Sequence, residues 1–120
     1  MKTKEVEVDG KKITVWKMNL GFRSDYQDDT IQTTVKSDGN RKERSVDLKN
    51  GRMILMTLVY GIYESTDLGI VPPKDLTMGF TPEEKAQRMK IIRMLEVDTE
   101  KIFEEIDKIN SDVDEEVIKK

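Results

Sequence analysis

The chain contains neither cysteine nor histidine. Without Cys there is no disulfide framework, no thiol nucleophile and no thiolate metal site, which agrees with a reducing compartment. Without His the usual general base at neutral pH and the commonest zinc ligand are both missing. Ser/His/Asp and Cys/His nucleophilic constellations are therefore excluded, and only a carboxylate–Lys chemistry stays open to an enzyme. Aromatic residues make up 6% of the chain and apolar residues 36%, against 38% charged residues. In 120 residues this composition predicts one domain, 1–120, with a lean core under a heavily charged surface. The net charge of −3 gives no field that would steer the chain toward nucleic acid. Long apolar runs are absent too. The longest, Met53 to Tyr63, is broken by Thr57 and Gly61 and is too short to cross a bilayer. Met1 to Glu5 lead into alternating residues and not into an apolar stretch, so no signal peptide is expected. The expectation is a soluble, cytoplasmic, non-enzymatic protein without cofactor or metal, which works by binding other proteins.

What is present falls into four segments. Residues 4–16 read as a β-hairpin: two alternating runs flank Asp9-Gly10, a strong short-range hairpin signal. A two-residue loop sets Val8 opposite Lys11, Glu7 opposite Lys12, Val6 opposite Ile13 and Glu5 opposite Thr14. Val6, Val8, Ile13 and Val15 then share one face, and Glu5, Glu7, Lys12 and Thr14 the other. A lone hairpin is marginal in water, so its apolar face needs a cover. Leu20, Phe22 and Tyr26 can line a short helix started by Asn19 or Ser24. Residues 33–45 read as a polar loop around Asp38-Gly39. The apolar central segment, 47–64, is hydrophobic nearly all round. It fits a buried helix beginning near Asp47, with a buried strand as the rival for 53–63. Over 81–110 two helices are predicted. Thr81-Pro82-Glu83-Glu84 is a helix start, with a Thr cap, Pro at the first position and Glu three residues after the cap. Ala86, Met89, Ile92 and Leu95 follow as a buried stripe. Asp98 caps the second helix, with Val97 and Ile102 as a hydrophobic staple. Ile102, Phe103, Ile106 and Ile109 form one apolar face. The fold class that results is α+β, an N-terminal antiparallel hairpin or small sheet followed by a mostly helical part.

Charged clusters have ordinary explanations. Asp25, Asp28 and Asp29 read as a solvated face, since no Ca²⁺-loop spacing accompanies them. Glu83 and Glu84 belong to the cap and the helix dipole. Arg41, Lys42 and Arg44 are interrupted by Glu43 and carry no aromatic interleaving, so nucleic acid is a weak expectation. Met53, Met56, Met89 and Met94 fit core filling, with an adaptable binding surface as the rival reading. Ile91 and Met94 lie off the buried stripe, and this surplus apolar helix face is the sequence's hint of an interface. The candidate partner-binding residues are Ile91, Met94, Ile102, Phe103 and Ile106.

Read end to end, the order of elements resembles the tail assembly chaperones of long-tailed, siphovirus-type bacteriophages. The residues that carry the resemblance are Val6-Glu7-Val8-Asp9-Gly10-Lys11-Lys12-Ile13-Thr14-Val15, then Leu20-Gly21-Phe22-Arg23 and the apolar middle segment. Thr81-Pro82-Glu83-Glu84 with Arg88, and Ile106-Asp107-Lys108-Ile109-Asn110, complete it. The resemblance implies a non-enzymatic factor of the host cytoplasm, absent from the finished virion. Such factors bind the tape-measure protein, recruit tail-tube subunits and often self-associate as oligomers. It also implies a longer frameshifted form, for which Lys119-Lys120 would suit an A-rich slippery site. The alternatives are a virion structural protein, such as a head–tail connector or tail terminator, and a small nucleic-acid-binding regulator using residues 36–44.

Overall fold

The computed structural model describes residues 1–38 and 51–119, with side chains described for 1–30 and 51–111. Strands β1 (Thr3–Val8) and β2 (Lys11–Trp16) form the expected hairpin, in the expected register from Val8–Lys11 to Thr3–Trp16. Asp9 and Gly10 have φ of 52° and 80°. These are the two left-handed positions of a type I′ turn, whose twist matches that of the strands. Val6, Val8, Ile13 and Val15 are buried, whereas Glu5, Glu7 and Lys12 are exposed. A short third strand, β3 (Ile62–Glu64), pairs with the other side of β2, giving the antiparallel order β1-β2-β3. The pairing shifts between Thr14 and Val15, so Tyr63 is an extra residue on β3. Such a bulge bends the strand, and Tyr63 packs against Trp16 with ring centroids 5.4 Å apart.

Helix α1 (Leu20–Asp38) begins where Asn19 Oδ1 accepts the Phe22 N–H at 2.9 Å. It is longer than the short helix expected, and its last turns take up residues 33–38 of the expected polar loop. Phe22 is fully buried and Tyr26 packs on the core. A helix nucleated by such anchors extends through polar sequence at little further cost. The rest of that loop, 39–45, with Arg41, Lys42 and Arg44, lies outside the described residues, as does the expected helix start at Asp47.

Helix α2 (Gly51–Gly61) resolves the helix-or-strand rivalry in both directions. The apolar segment is helical up to Gly61 and turns into β3 at Ile62. The helix packs against α1, α3 and α4, which is why it is apolar on several sides and why Met56 to Gly61 are all buried. Gly61 permits the crossing with α4. A Cβ there would meet the Ile106 side chain at 2.7 and 2.9 Å, well inside contact.

Helices α3 (Pro82–Arg93) and α4 (Thr99–Lys119) start as the sequence predicts. The Thr81 hydroxyl accepts from Glu84 N–H at 3.1 Å and the Glu84 carboxylate accepts from Thr81 N–H at 2.8 Å. Asp98 Oδ1 accepts from Lys101 N–H at 3.3 Å, and Val97 packs on the cluster that holds Ile102. On α4, Ile102, Ile106 and Ile109 join the core with Val6, Val8, Ile13 and Val15, so α4 is the cover the hairpin needs. Two polar ties fix it. Asp98 N–H donates to Asp9 at 2.9 Å, and Asn110 accepts from Met18 N–H at 2.9 Å while donating to the Trp16 carbonyl at 3.2 Å.

Candidate functional site

Helix α3 has two dissimilar sides. One side is turned to the interior by Arg88, which is only 3% exposed. Its Nη1 donates to the carbonyls of Val59 at 2.9 Å and of Ile62, and its Nη2 to the carbonyls of Tyr63 and Val71, each at 2.7 Å. Val59 lies in the last turn of α2, whose carbonyls have no partner within the helix. A cation placed there also opposes the negative end of the helix dipole. The guanidinium lies 4.6 Å from the centre of the Phe80 ring. Burial pushes Arg88 down to about 10, with the Glu84 charge pulling the other way, so it keeps its charge at neutral pH. One side chain thus holds together the end of α2, the start of β3 and the chain at Val71.

The expected buried stripe of α3 needs correction. Ile92 is buried and Met89 and Leu95 are partly so, but Ala86 is exposed and Arg88 takes the inward position. Steps of three fall about 60° short of a full turn, so over three steps the stripe rotates to the opposite side. The face that reads correctly is Arg88 and Ile92, at the i, i+4 spacing, and half-buried Leu95 lies past the end of the helix. The spacing was readable, but a charged residue at its first position hid it.

A second polar cluster lies beside this interior. The Tyr60 hydroxyl donates to Asp29 at 2.6 Å, Lys85 Nζ bonds the same carboxylate oxygen at 2.9 Å, and Tyr26 and Thr57 share a 2.8 Å hydrogen bond. Burial alone would raise the Asp29 carboxyl, but the hydrogen bonds from Tyr60 and Lys85, aided by nearby positive charge, hold it below the ordinary range. Burial and the Asp29 carboxylate push the Tyr60 hydroxyl up. Asp29 is therefore a bonded joint between α1, α2 and α3, not the solvated position expected of it; Asp25 and Asp28 are exposed. Among the described residues no group of three acidic, His or Cys side chains could hold a metal ion.

The other side of α3 faces outward onto a groove. Its opposite wall is the turn from Ser65 to Ile70. Ser65 and Ile70 exchange backbone hydrogen bonds of 2.9 and 2.8 Å, with Gly69 at a φ of 77°. The Ser65 hydroxyl donates to the Lys12 carbonyl at 2.7 Å, and the Asp67 carboxylate accepts from Lys12 N–H at 2.8 Å, which fastens this wall to β2. Between the walls run two adjoining cavities of about 350 and 550 Å³ that share Gln87 and Ile91. Val71 and Ile91 line the first, and Leu68, Ile91, Met94 and Leu95 the second. Met94 is 76% exposed and Val71 61% exposed. Lys74, Glu83, Lys90 and Glu96 supply charges of both signs along the groove.

Of the five candidate interface residues, the structure brings two together here, Ile91 and Met94. Ile102 is 0% exposed, Phe103 9% and Ile106 1%. Those three are interior residues of α4: Ile102 and Ile106 belong to the face that covers the hairpin, Phe103 is buried as well, and none is part of an exposed surface. Sequence reasoning missed Leu68, Val71 and Leu95 as groove residues. The first two sit in turn segments with no period to mark them. The four methionines divide in the same way. Met56 is fully buried in the core, Met53 and Met89 are intermediate, and Met94 is at the surface.

No protein-family model, no curated protein and no solved structure matches this chain.

Proposed function

We propose that this chain is a non-enzymatic binding protein whose docking site is the groove between α3 and the 65–71 segment. Its specific role would be that of a tail assembly chaperone of a long-tailed bacteriophage. The observation that carries the reading is the exposure of Met94 and Val71 on either side of half-buried Ile91, in a groove with charged residues of both signs. Exposed apolar surface of this shape is what a partner covers, and a thioether adapts to several apolar contacts. The occupant is a helical segment of the tape-measure protein with one apolar face and charged flanks, laid along α3 in the helix-in-groove manner. The chain would cover that segment until tail-tube subunits replace it, with the charged surface keeping the complex in solution. The role in tail assembly rests on the resemblance of the hairpin, the middle segment and the capped helices. No helix among the described residues is long and apolar enough to cross a membrane.

The test is coexpression with a tape-measure fragment encoded beside this chain. Copurification is expected from the native chain and is lost with Met94→Asp and Ile91→Asp. Recovery of the chain in purified particles, or copurification unaffected by both substitutions, would overturn the reading.

A further inference from the structure

The hairpin has an exposed strand edge separate from the α3 groove. Strand β1 lies at the end of the sheet, with β2 as its neighbour on one side. The register fixes which of its backbone groups are used. Lys17 N–H bonds the Lys2 carbonyl at 2.9 Å, so the hydrogen-bonded pairs are Lys2–Lys17, Lys4–Val15, Val6–Ile13 and Val8–Lys11. The N–H and C=O groups of Thr3, Glu5 and Glu7 therefore point away from β2. All three residues are exposed. Among the described residues none pairs with this edge of β1, which leaves an open ladder one strand long.

Its two faces differ in chemistry. Glu5 and Glu7 stand on the solvent face. On the other face β1 borders α4 across a small cavity of about 210 Å³, where Lys4 bonds Glu105 at 3.0 Å above Ile109. A strand added beside β1 would set every second side chain within about 5 Å of Glu5 and Glu7, and the alternate ones against that cavity. The arrangement rejects a second copy. The two antiparallel registers that keep the buried faces on one side with the greatest overlap put Glu5 opposite Glu5, or Glu5 opposite Glu7. Like charges directly opposite are unfavourable. Glu5, opposite uncharged Thr14, and more weakly Glu7, opposite Lys12, favour a strand whose alternate residues are basic.

We propose that the free edge of β1 binds an extended peptide segment of a partner protein in which basic residues alternate with apolar ones. Backbone hydrogen bonds to Thr3, Glu5 and Glu7 supply the attachment, and the Glu5/Glu7 pair supplies the selection. A charged edge that only prevents aggregation is the competing reading, and the experiment separates the two.

The probe is a labelled peptide of alternating Lys and Val, about eight residues long, enough to span a strand of ordinary length. Its controls are the same residues in scrambled order and an alternating Glu/Val peptide. The full chain is titrated with each, with anisotropy and amide exchange as readouts. Binding is expected only from the alternating Lys peptide, with slowed exchange at Thr3, Glu5 and Glu7. Glu5→Pro removes an outward N–H without touching the β1–β2 ladder, and should weaken binding about tenfold. The double variant E5K/E7K should transfer the preference to the Glu/Val peptide, a gain that misfolding cannot mimic. Absence of binding, equal binding of the scrambled peptide, or protection elsewhere than β1 would overturn the proposal and leave the charges as a guard.

Discussion

The two sides of α3 carry opposite designs on one short helix. Inward, Arg88 donates to four backbone carbonyls and stacks near Phe80, so it is bound in place from several directions. Outward, Met94 is 76% exposed, and half-buried Ile91 rests partly on the core and partly borders the groove. Polarity alone therefore does not say where a residue sits. The interior position is charged because unpaired carbonyls at the end of α2 and the start of β3 need donors, and the exterior position is apolar. A buried charge is tolerated when every neighbour is an acceptor. An exposed thioether costs the monomer little and suits contact with another chain.

The contrast breaks most severely at Arg88. Arg88→Met would keep an unbranched stem but not the guanidinium, leaving several buried acceptors unpaired, each at a cost of about 1–3 kcal/mol. A loss on the order of 4 kcal/mol is expected in urea unfolding, with Arg88→Lys between it and the native chain because an ammonium lacks the planar fork. A loss below about 1 kcal/mol would mean that water satisfies those carbonyls.

The next effect belongs to the Asp29 joint, on the inward side beside Lys85. Its carboxyl is held below the ordinary value of 3.8 in the fold. The sign follows from proton counting. As pH falls through and below 3.8, the unfolded chain takes up the proton before the folded one, so the unfolded state binds more protons and stability drops. Above that range the contribution is complete. Thermal unfolding from neutral to strongly acid pH should show this acid loss, and Asp29→Asn should flatten part of it. The flattening is partial because Glu84, held low chiefly by its bond from the Thr81 N–H, loses stability in the same direction.

The smallest stability effect should come from the outward side. Met94→Gln is expected to change unfolding free energy by less than about 0.5 kcal/mol, the range for exposed substitutions. A larger loss would show that Met94 holds the fold and would remove the distinction between the two sides.

Much of the fold is legible in the residues alone. The hairpin register follows from alternation on both sides of Asp9-Gly10, because pairing and burial in a two-residue hairpin are decided within 13 residues of chain, 4–16. The starts of α3 and α4 follow from Thr81-Pro82-Glu83-Glu84 and Asp98, since caps are local hydrogen bonds. The groove is only half legible. Ile91 and Met94 stand out as apolar residues off a stripe, but Val71 and Leu68 have neighbours only in space. Ile102, Phe103 and Ile106 show why an amphipathic face is ambiguous: the pattern says that something covers it and not whether the cover belongs to the same chain.

By itself the sequence determined the absence of Cys and His side chains, the hairpin and its register, the helix caps and the class of fold. These depend on residue identity or on interactions a few positions long. Only the tertiary structure decided that the apolar middle segment ends as a helix at Gly61 and continues as β3. Only there do Arg88 and Asp29 become joints and Ile91 and Met94 become one wall of a groove. Each of those outcomes depends on carbonyls, hydroxyls or apolar surface brought from distant parts of the chain. No local pattern encodes whether a buried donor will find its acceptor, or whether an apolar face will find its cover.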